Sequence, residues 1–250
     1  MYKVSICAIV KDEDQYLDEW IGYHIERGVD HIYLYDNGSA NPQQNCVSTE
    51  NLKYCTVIPF PRTTGNPQCE CYFEFLRDHG ADSEWVAFID ADEFIRVIDG
   101  TPIPEFLEEY MRHDGVYAGW ITYNADGQLT NDNRPVRERF HKTVPYKKYL
   151  PCGKTIARPE KVTRMNPHFP SPIWYGRHDI VDENHDHVEC APGYEPPLNK
   201  IVIDHYFTKS WEEWQCKINR GTADNSGFRK MNDFFYYNPD LVEVIESMKD

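Results

Sequence analysis

Short apolar runs recur along the first half of the chain, and their lengths are those of β-strands. Four runs consist mainly of aliphatic and aromatic residues, which is typical of strands buried on both faces, and they lie at 4–10, 31–35, 56–60 and 85–89. A fifth, more mixed run occupies residues 115–124. The pattern predicts a sheet whose first strands lie in the protein interior.

Two amphipathic segments separate these runs. The first has apolar residues at helical spacing over residues 16–25 and ends at Gly28, and we expect Asp12 or Asp14 to cap it. The second, over residues 66–79, opens with an Asn-Pro pair, a cap followed by a first-turn proline. Strands that alternate with helices favour a mainly parallel sheet with helices on both faces, so the predicted class is α/β.

The second half of the chain is less regular. Residues 140–200 are rich in Pro, Tyr and His and lack helical periodicity, which predicts ordered loops over a cleft. Ser210 and Glu213 have the spacing of a capping box at the start of a helix, and residues 238–248 predict a last amphipathic helix that packs against the domain.

At 250 residues the chain is long enough for one α/β domain. We divide that domain into two halves (1–95 and 96–224) and a helical tail (225–250).

Composition excludes several classes of function. The formal net charge of −15 argues against a nucleic-acid surface, which needs clustered Lys and Arg, but not against a phosphorylated ligand held through a cation. No apolar run is long enough to span a bilayer, and a first strand that begins at Tyr2 leaves no room for a signal peptide. We expect a soluble cytoplasmic protein whose eight cysteines, which lack zinc-site spacing, are reduced thiols.

Polar clusters follow three of the predicted strands, and their members are Lys11, Asp12 and Glu13, then Asp36 and Asn37, then Asp90, Asp92 and Glu93. Because ligands bind at the carboxyl ends of parallel strands, we expect these clusters to converge. Asp90 and Asp92 are hard oxygen donors on either side of a small residue, which suits Mg²⁺ or Mn²⁺ holding a diphosphate. The alternative is an acidic turn in solvent.

Several segments occur together in an order that is specific: "CAIVKDEDQYLDEWIGYHIERGVDHIYLYDNGS" (7–39), "WVAFIDADEFI" (85–95), "GKTIARPEKV" (153–162), His168, and "IDHYFTKSWEEWQCKINRGTAD" (203–224). In combination they resemble the family 2-like and family 92-like glycosyltransferases. The resemblance implies a GT-A fold with a D-x-D motif and a nucleotide-sugar donor, with a UDP-sugar favoured. It also implies inverting transfer of a hexose to a glycan hydroxyl, with Mn²⁺ or Mg²⁺ as cofactor. Residues 1–95 would then be the nucleotide-binding half and residues 96–224 the acceptor half.

The resemblance further implies roles for individual residues. Contacts to the nucleoside and to the nucleotide side of the pocket would come from Ala8, Val10, Asp12, Asp36, Gln68 and Tyr72. The metal and diphosphate would be held by Asp90 and Asp92, with Glu93 steadying that loop. A late histidine often completes the metal site, and His205 is the first candidate and His168 the second. Phosphate charge would be neutralised by Lys209 and Arg220, with Lys154 facing the same pocket.

An inverting transfer also needs a carboxylate that accepts the proton of the acceptor hydroxyl. Glu138 is the preferred residue, Asp126 is the next, and Asp132 and Asp179 remain open. The glycine-rich acceptor loop of the family is reduced here to "NADGQ" (124–128). Aromatic residues that could stack on sugar faces, or could equally belong to the core, are Tyr146, Tyr149, Trp174 and Tyr175.

Other interpretations of the same residues remain open. His205 could be a hydrogen-bonded core histidine, and Lys217 and Arg220 could serve the carboxyl end of a helix before Gly221. His185 and His187 suggest zinc, but nothing fixes further ligands. A haloacid dehalogenase-like phosphotransferase with Asp90 as nucleophile, or a non-catalytic carbohydrate-binding protein, are the alternative functions.

Overall fold

A mixed sheet of nine strands forms the centre of the computed structural model, which describes residues 1–145, 153–171, 177–189, 194–221 and 229–248. The strands are β1 (Tyr2–Val10), β2 (His31–Asp36), β3 (Cys55–Pro59), β4 (Ser83–Phe88), β5 (Glu93–Val97), β6 (Gly115–Thr122), β7 (Gly153–Ala157), β8 (Ile180–Val181) and β9 (Ile201–His205). Four candidate stacking residues, Tyr146, Tyr149, Trp174 and Tyr175, lie outside the described ranges.

The strand order is β3-β2-β1-β4-β7-β6-β9-β5, with β8 beside β6. The first four strands of this order are parallel, β7 runs antiparallel to both β4 and β6, β6 and β9 are parallel, and β5 is antiparallel to β9. The predicted α/β class, with a mixed and mainly parallel sheet, is confirmed.

The helices within the described ranges cover both faces of the sheet. They are α1 (Leu17–Glu26), α2 (Thr49–Leu52), α3 (Pro67–Asp78), α4 (Ile103–Leu107), α5 (Val136–Arg139), α6 (Trp211–Arg220), α7 (Met231–Tyr237) and α8 (Val242–Ser247). Strand β1 is buried from Val4 onward, and its alternate residues belong to two different apolar clusters. One cluster includes α1 and α4 and the other includes α3, as expected for a strand in the middle of a three-layer arrangement.

The start of α1 differs from the sequence prediction. Neither Asp12 nor Asp14 caps the helix, which begins at Leu17 after Tyr16 without a side-chain cap. Asp14 instead accepts hydrogen bonds from the side chains of Asn41 and Gln43. Asp12 has a φ of 50° and accepts a hydrogen bond from the Ala40 amide. Both carboxylates therefore bind the loop after β2, and this long-range pairing was not visible in the local pattern.

The C-terminal helices pack as expected. Ser210 and Glu213 form the predicted capping box of α6, and Gly221 ends that helix with a φ of 84°. On one face of α6, Trp211 and Trp214 pack against Phe234 and other residues of α7 and α8. Helix α6 is thereby attached to the C-terminal segment on one side and to the ends of the strands on the other.

Candidate active site

The acidic motif forms a tight turn between β4 and β5. The Glu93 amide donates to the Asp90 carbonyl at 3.0 Å, and the Glu93 carboxylate accepts from the Asp90 amide at 2.9 Å. Glu93 is fully buried, so the chain leaves the central strand and enters β5 with its carboxylate in the interior. The turn presents Asp90 and Asp92 to different neighbours.

Asp90 lies between α3 and β7. Lys154 donates to its Oδ2 at 2.8 Å, and the same ammonium lies 3.6 Å from Glu93 Oε2. Gln68 donates to Asp90 Oδ1 at 2.7 Å and lies 2.9 Å from the hydroxyl of Tyr72. Burial alone would lower the pKa of Lys154, but Asp90 and Glu93 outweigh it and raise that pKa above its ordinary value.

Asp92 is paired with a lysine from α6. Lys217 Nζ donates to Asp92 Oδ2 at 2.5 Å and to the Phe207 carbonyl at 2.6 Å. Burial alone would raise the pKa of Asp92, but Lys217, together with Lys209, holds it well below its usual range. Asp92 is therefore ionised at neutral pH, and its charge is matched by a buried ammonium.

His205 lies next to both acids because of the strand register. It is the register partner of Glu93 in the β5–β9 ladder. Its Nε2 lies 3.8 Å from Asp92 Oδ1 and 4.0 Å from Glu93 Oε1, and its ring packs on Trp120 with the centroids 4.3 Å apart. Burial lowers its pKa to about 3, so the imidazole is neutral at pH 7, the form that binds metal ions.

His168 occupies a different place around Trp120. Its ring meets the indole edge-on at 5.3 Å, and its Nδ1 lies 3.1 Å from the Gly153 carbonyl. Its own carbonyl accepts a hydrogen bond from the Thr155 hydroxyl. These contacts place His168 beside β7, whereas His205 lies directly against the acidic turn.

A cavity of about 430 Å³ opens between the loop after β1 and helix α6. Lys209, Lys217 and Arg220 line one side, and Asp12 and Glu13 line the other. Arg220 joins the two sides, since it contacts Glu13 at 2.7 Å and donates to the carbonyls of Lys11 and Asp12. Asp92 meets this cavity through Lys217.

Arg229 adds a fourth cation, and we call Lys209, Lys217, Arg220 and Arg229 the basic cluster. Arg229 donates to the Gly221 carbonyl at the end of α6. Its pKa is lowered by burial and, against the effect of Asp92, by the nearby Arg220. Burial and the like charges of Arg229 and Lys209, opposed by Asp92, lower the pKa of Lys217 to about 8. Cations this close together favour an anionic ligand.

The proposed nucleoside contacts lie at the ends of β1 and β2, which meet as expected. The Asn37 amide donates to the Val10 carbonyl, and Asp12 binds the loop after β2. Ala8 and Val10 have buried side chains in the apolar core, so only their backbone could face a ligand. Both carboxylate oxygens of Asp36 accept backbone amides, those of Ser39 and Gln43.

The two proposed bases lie outside the cavity lining. Glu138 is exposed on the short helix α5. Asp126 has a φ of 48°, and its carboxylate contacts the Lys142 ammonium at 3.0 Å and the His141 amide at 3.2 Å. The structure does not bring either carboxylate to Asp90 or Asp92.

Asp92 and His205 fit a divalent cation of the Mn²⁺ or Mg²⁺ type. They offer Asp92 Oδ1 and the neutral imidazole nitrogen His205 Nε2, 3.8 Å apart, and the neighbouring buried atom Glu93 Oε1, 4.0 Å from the same nitrogen, has no hydrogen-bond partner within the described ranges. In those ranges no three His, Cys, Asp or Glu side chains form a group that could hold a metal. A cation would therefore complete its shell with diphosphate oxygens and water, as is usual where Mg²⁺ binds at substrate phosphates.

Sequence reasoning missed part of this site. Lys217 was interpreted as serving the helix end, and Arg229 was not singled out. Lys217 and Arg220 are three residues apart on α6 and so share a helix face, a signal that could have linked them. Nothing in the sequence around Arg229 indicates that it lies beside Gly221.

A mixed α/β sheet with two acids at the end of its central strand, one of them joined through Lys217 to a cavity lined by basic residues, is the arrangement of a GT-A glycosyltransferase. Residues 2–237 match the model of glycosyltransferase family 92, and the chain belongs to that family. The predicted resemblance is thus confirmed over nearly the whole chain.

The chain is similar to curated relatives and, more remotely, to a solved structure. Family 92 proteins of Oryza sativa subsp. japonica and Ricinus communis are 24% and 30% identical, each over 89% of this chain but only 36% and 38% of their own lengths. The chain thus spans little more than a third of these relatives. TarS of S. aureus is 16% identical with a TM-score of 0.38 and is matched over 59% of this chain and 39% of its own. That likeness is too remote to indicate a substrate.

No helix within the described ranges has the length and apolar character needed to cross a membrane.

Proposed function

We propose that the chain transfers a hexose from a nucleoside diphosphate sugar, a UDP-sugar by preference, to a glycan hydroxyl with inversion. The observation that carries the proposal is Lys209. Its side chain is buried and lines the cavity, yet within the described ranges its ammonium has no hydrogen-bond or ion-pair partner and lies 4.2 Å from the centroid of the Tyr16 ring. A buried ammonium without a direct hydrogen-bond or ion-pair partner is costly unless a ligand supplies one.

The backbone supports the same interpretation. Lys209 has a φ of 53°, a left-handed conformation that a long side chain rarely adopts. Strain of this kind persists where the surrounding structure enforces it, and it is common in ligand-binding segments. The residue lies between β9 and α6, so the strained position directs a cation into the space beside Asp92.

The charge that develops during transfer supports binding of the diphosphate at the basic cluster. Breaking the bond between the sugar and the β-phosphate leaves negative charge on the departing nucleotide, and fixed cations in a site shielded from water stabilise that charge. Lys209 and Lys217 would bind the leaving phosphates, while Lys154 holds Asp90 in place. Asp92 and His205 would hold Mn²⁺ or Mg²⁺, which supplies Lewis acidity to the leaving group when bound.

The acceptor side of the proposal involves the loop after β6. The carbonyls of Gln128 and Leu129 accept the first amides of α6, so this loop adjoins the helix that carries Lys217 and Arg220. Asp126 lies in that loop and Glu138 lies on α5 after it. We keep both as the proposed base. Replacing the true base by its amide should lower the rate of transfer without weakening nucleotide binding.

The experiment is titration of the protein with UDP, with and without Mn²⁺, by calorimetry and thermal shift. A ligand that binds only the native state raises its melting temperature. We expect Lys209→Met to weaken UDP binding about tenfold or more, because a charged hydrogen bond to phosphate is lost. Lys161→Met, at an exposed lysine, is the matched control and should bind like the wild type.

Two results would overturn the proposal. One is the absence of any UDP or other nucleoside diphosphate binding at saturating Mn²⁺. The other is equal affinity of the Lys209→Met and Lys161→Met proteins for UDP, which would remove the role of the cavity.

A further inference from the structure

Lys217 lies where a divalent cation and a diphosphate would each need to act. Its ammonium contacts the same carboxylate that would bind the metal, at 2.5 Å from Asp92 Oδ2, and it also lines the cavity. The side chain is buried, and the Phe207 carbonyl accepts a second hydrogen bond from it at 2.6 Å. An ammonium has three N–H donors, so one remains for a ligand in the cavity.

Without a diphosphate, Lys217 opposes metal binding. A divalent cation on Asp92 would lie close to the ammonium, and like charges in a buried site repel strongly. The remaining protein ligands are few, because Asp92 and His205 supply one oxygen and one nitrogen and no third metal-binding side chain joins them within the described ranges. A divalent cation alone would therefore gain only two protein ligands and would be repelled by a fixed positive charge.

A bound diphosphate changes both conditions. Its oxygens complete the coordination shell of the cation. On the cavity side, another of its oxygens accepts a hydrogen bond from the Lys217 ammonium, and its negative charge offsets the positive charge of that ammonium. Lys209 and Arg220 line the same side of the cavity, so the phosphates would lie within a region that already attracts them. The lysine then stabilises the leaving group instead of competing for the carboxylate.

We propose that Lys217 is a positioning residue that holds Asp92 and disfavours metal binding until the donor arrives, so that the metal binds poorly without the nucleotide and the nucleotide strengthens its binding. The proposal rests on the nucleotide-sugar function proposed above. It assigns to Lys217 a coupling role, distinct from general attraction of phosphate by the basic cluster.

The test measures Mn²⁺ binding from the loss of the free-ion signal in electron paramagnetic resonance, with and without UDP. For the wild type we expect weak Mn²⁺ binding that UDP strengthens by about tenfold or more, within the usual range of coupling between sites. In Lys217→Met, Mn²⁺ alone should bind more tightly than in the wild type, and the strengthening by UDP should shrink. Lys217→Arg, which keeps the charge, should retain the coupling.

Lys217→Gln repeats the measurement with a polar neutral side chain in case the methionine variant does not fold, and Lys161→Met is again the control. Unchanged Mn²⁺ affinity and unchanged coupling in a folded, neutral variant would overturn the role of Lys217. If the wild type binds no UDP at all, the proposed function itself fails, and that result is distinct from UDP binding whose coupling to Mn²⁺ does not depend on Lys217.

Discussion

His24 is a fully buried histidine whose two ring nitrogens both have backbone partners. Its Nδ1 lies 2.8 Å from the Trp20 carbonyl, and its Nε2 accepts from the Ile95 amide at 3.2 Å. Burial lowers its pKa to about 3, so the folded protein holds it neutral while the unfolded chain protonates it near pH 6.5. Its contribution to stability is therefore complete above pH 6.5 and is lost as the pH falls toward 3.

We predict that a fall from pH 7 to pH 5.5 lowers the free energy of unfolding by about 1 kcal/mol through His24 alone, because the unfolded chain binds a proton there and the folded protein does not. Urea unfolding at the two pH values measures this. His24→Gln, whose amide can donate and accept at similar positions, should show a smaller fall by that amount. Parallel pH profiles of the two proteins would contradict the prediction.

At this scale the sequence predicted the residues whose roles depend on neighbours in the chain. Asp90, Asp92 and Glu93 were identified because they directly follow an apolar strand. Lys217 and Arg229 could not be placed in the same way, because their roles depend on their position near Asp92, which is more than a hundred residues away in the sequence. In the sequence, a lysine at a helix end and a lysine in a binding site look the same, and only tertiary packing distinguishes them.

Among the elements, α6 is tied to α5 by a buried ion pair. Arg139 donates to both oxygens of Glu213, at 3.0 and 2.6 Å, and neither side chain is exposed by more than a few per cent. Glu213 also accepts from the Tyr16 hydroxyl at 2.7 Å and closes the capping box with Ser210.

We predict that Arg139→Met lowers the free energy of unfolding by about 3–5 kcal/mol, because it leaves a buried carboxylate without its cation. The double variant Arg139→Met/Glu213→Gln should lose less than the sum of the single changes. A double-mutant cycle by urea unfolding measures the difference, and additive losses would show that the pair does not act as a unit.

Strand β7 depends on a glycine where it meets β6. A Cβ at Gly153 would lie 2.1 Å from the Ala118 carbonyl oxygen, so the two strands would have to separate. Gly153→Ala should cost about 1–3 kcal/mol through overpacking and should disturb the adjacent Lys154. Gly22→Ala in α1, whose nearest neighbour would be 3.4 Å away, is the control and should be neutral or stabilising. Equal unfolding midpoints for the two variants would contradict this account.

Elements with a clear local period were predicted well, and those without one were missed. The strands from β1 to β4, the helix α3 with its Asn66 cap, and the capping box of α6 follow from apolar spacing and end signals. Strand β5 was not predicted, because its first residue is an acid of the motif. The predicted cap of α1 was wrong because Asp12 and Asp14 accept hydrogen bonds from the loop after β2.

Across the whole molecule, α6 connects the C-terminal segment to the cavity. Phe234 is fully buried against Trp211 and Trp214 on one face of the helix, while Lys217 and Arg220 extend from it toward the strands. We predict that Phe234→Ala lowers the free energy of unfolding by about 3–5 kcal/mol and weakens UDP binding in the protein that remains folded.

Val244→Ala, at an exposed position of the neighbouring helix α8, is the control and should change stability by less than about 0.5 kcal/mol. Urea unfolding and UDP titration of both variants separate the two effects. Unaltered UDP affinity in Phe234→Ala would show that the cavity does not depend on the C-terminal packing.

The sheet order is the part of the architecture that the sequence could not supply. The parallel strands were predicted from the alternation with helices, but the insertion of β7 between β4 and β6, and the pairing of β9 with both β6 and β5, follow from contacts between distant segments. The loops of the second half carry no periodic signal that would have indicated this order.

The pairing of Glu93 with His205 also has a consequence for how variants fail. A shift of one residue between β5 and β9 turns every side chain to the opposite face of the sheet, so no intermediate alignment keeps the histidine near the acids. In a variant that weakens the pairing without touching the site, a partial loss of UDP binding would then report the fraction of molecules that have the correct alignment. Each correctly aligned molecule would keep an intact site, so a partial loss of binding would reflect a smaller number of such molecules and not a weaker site in each.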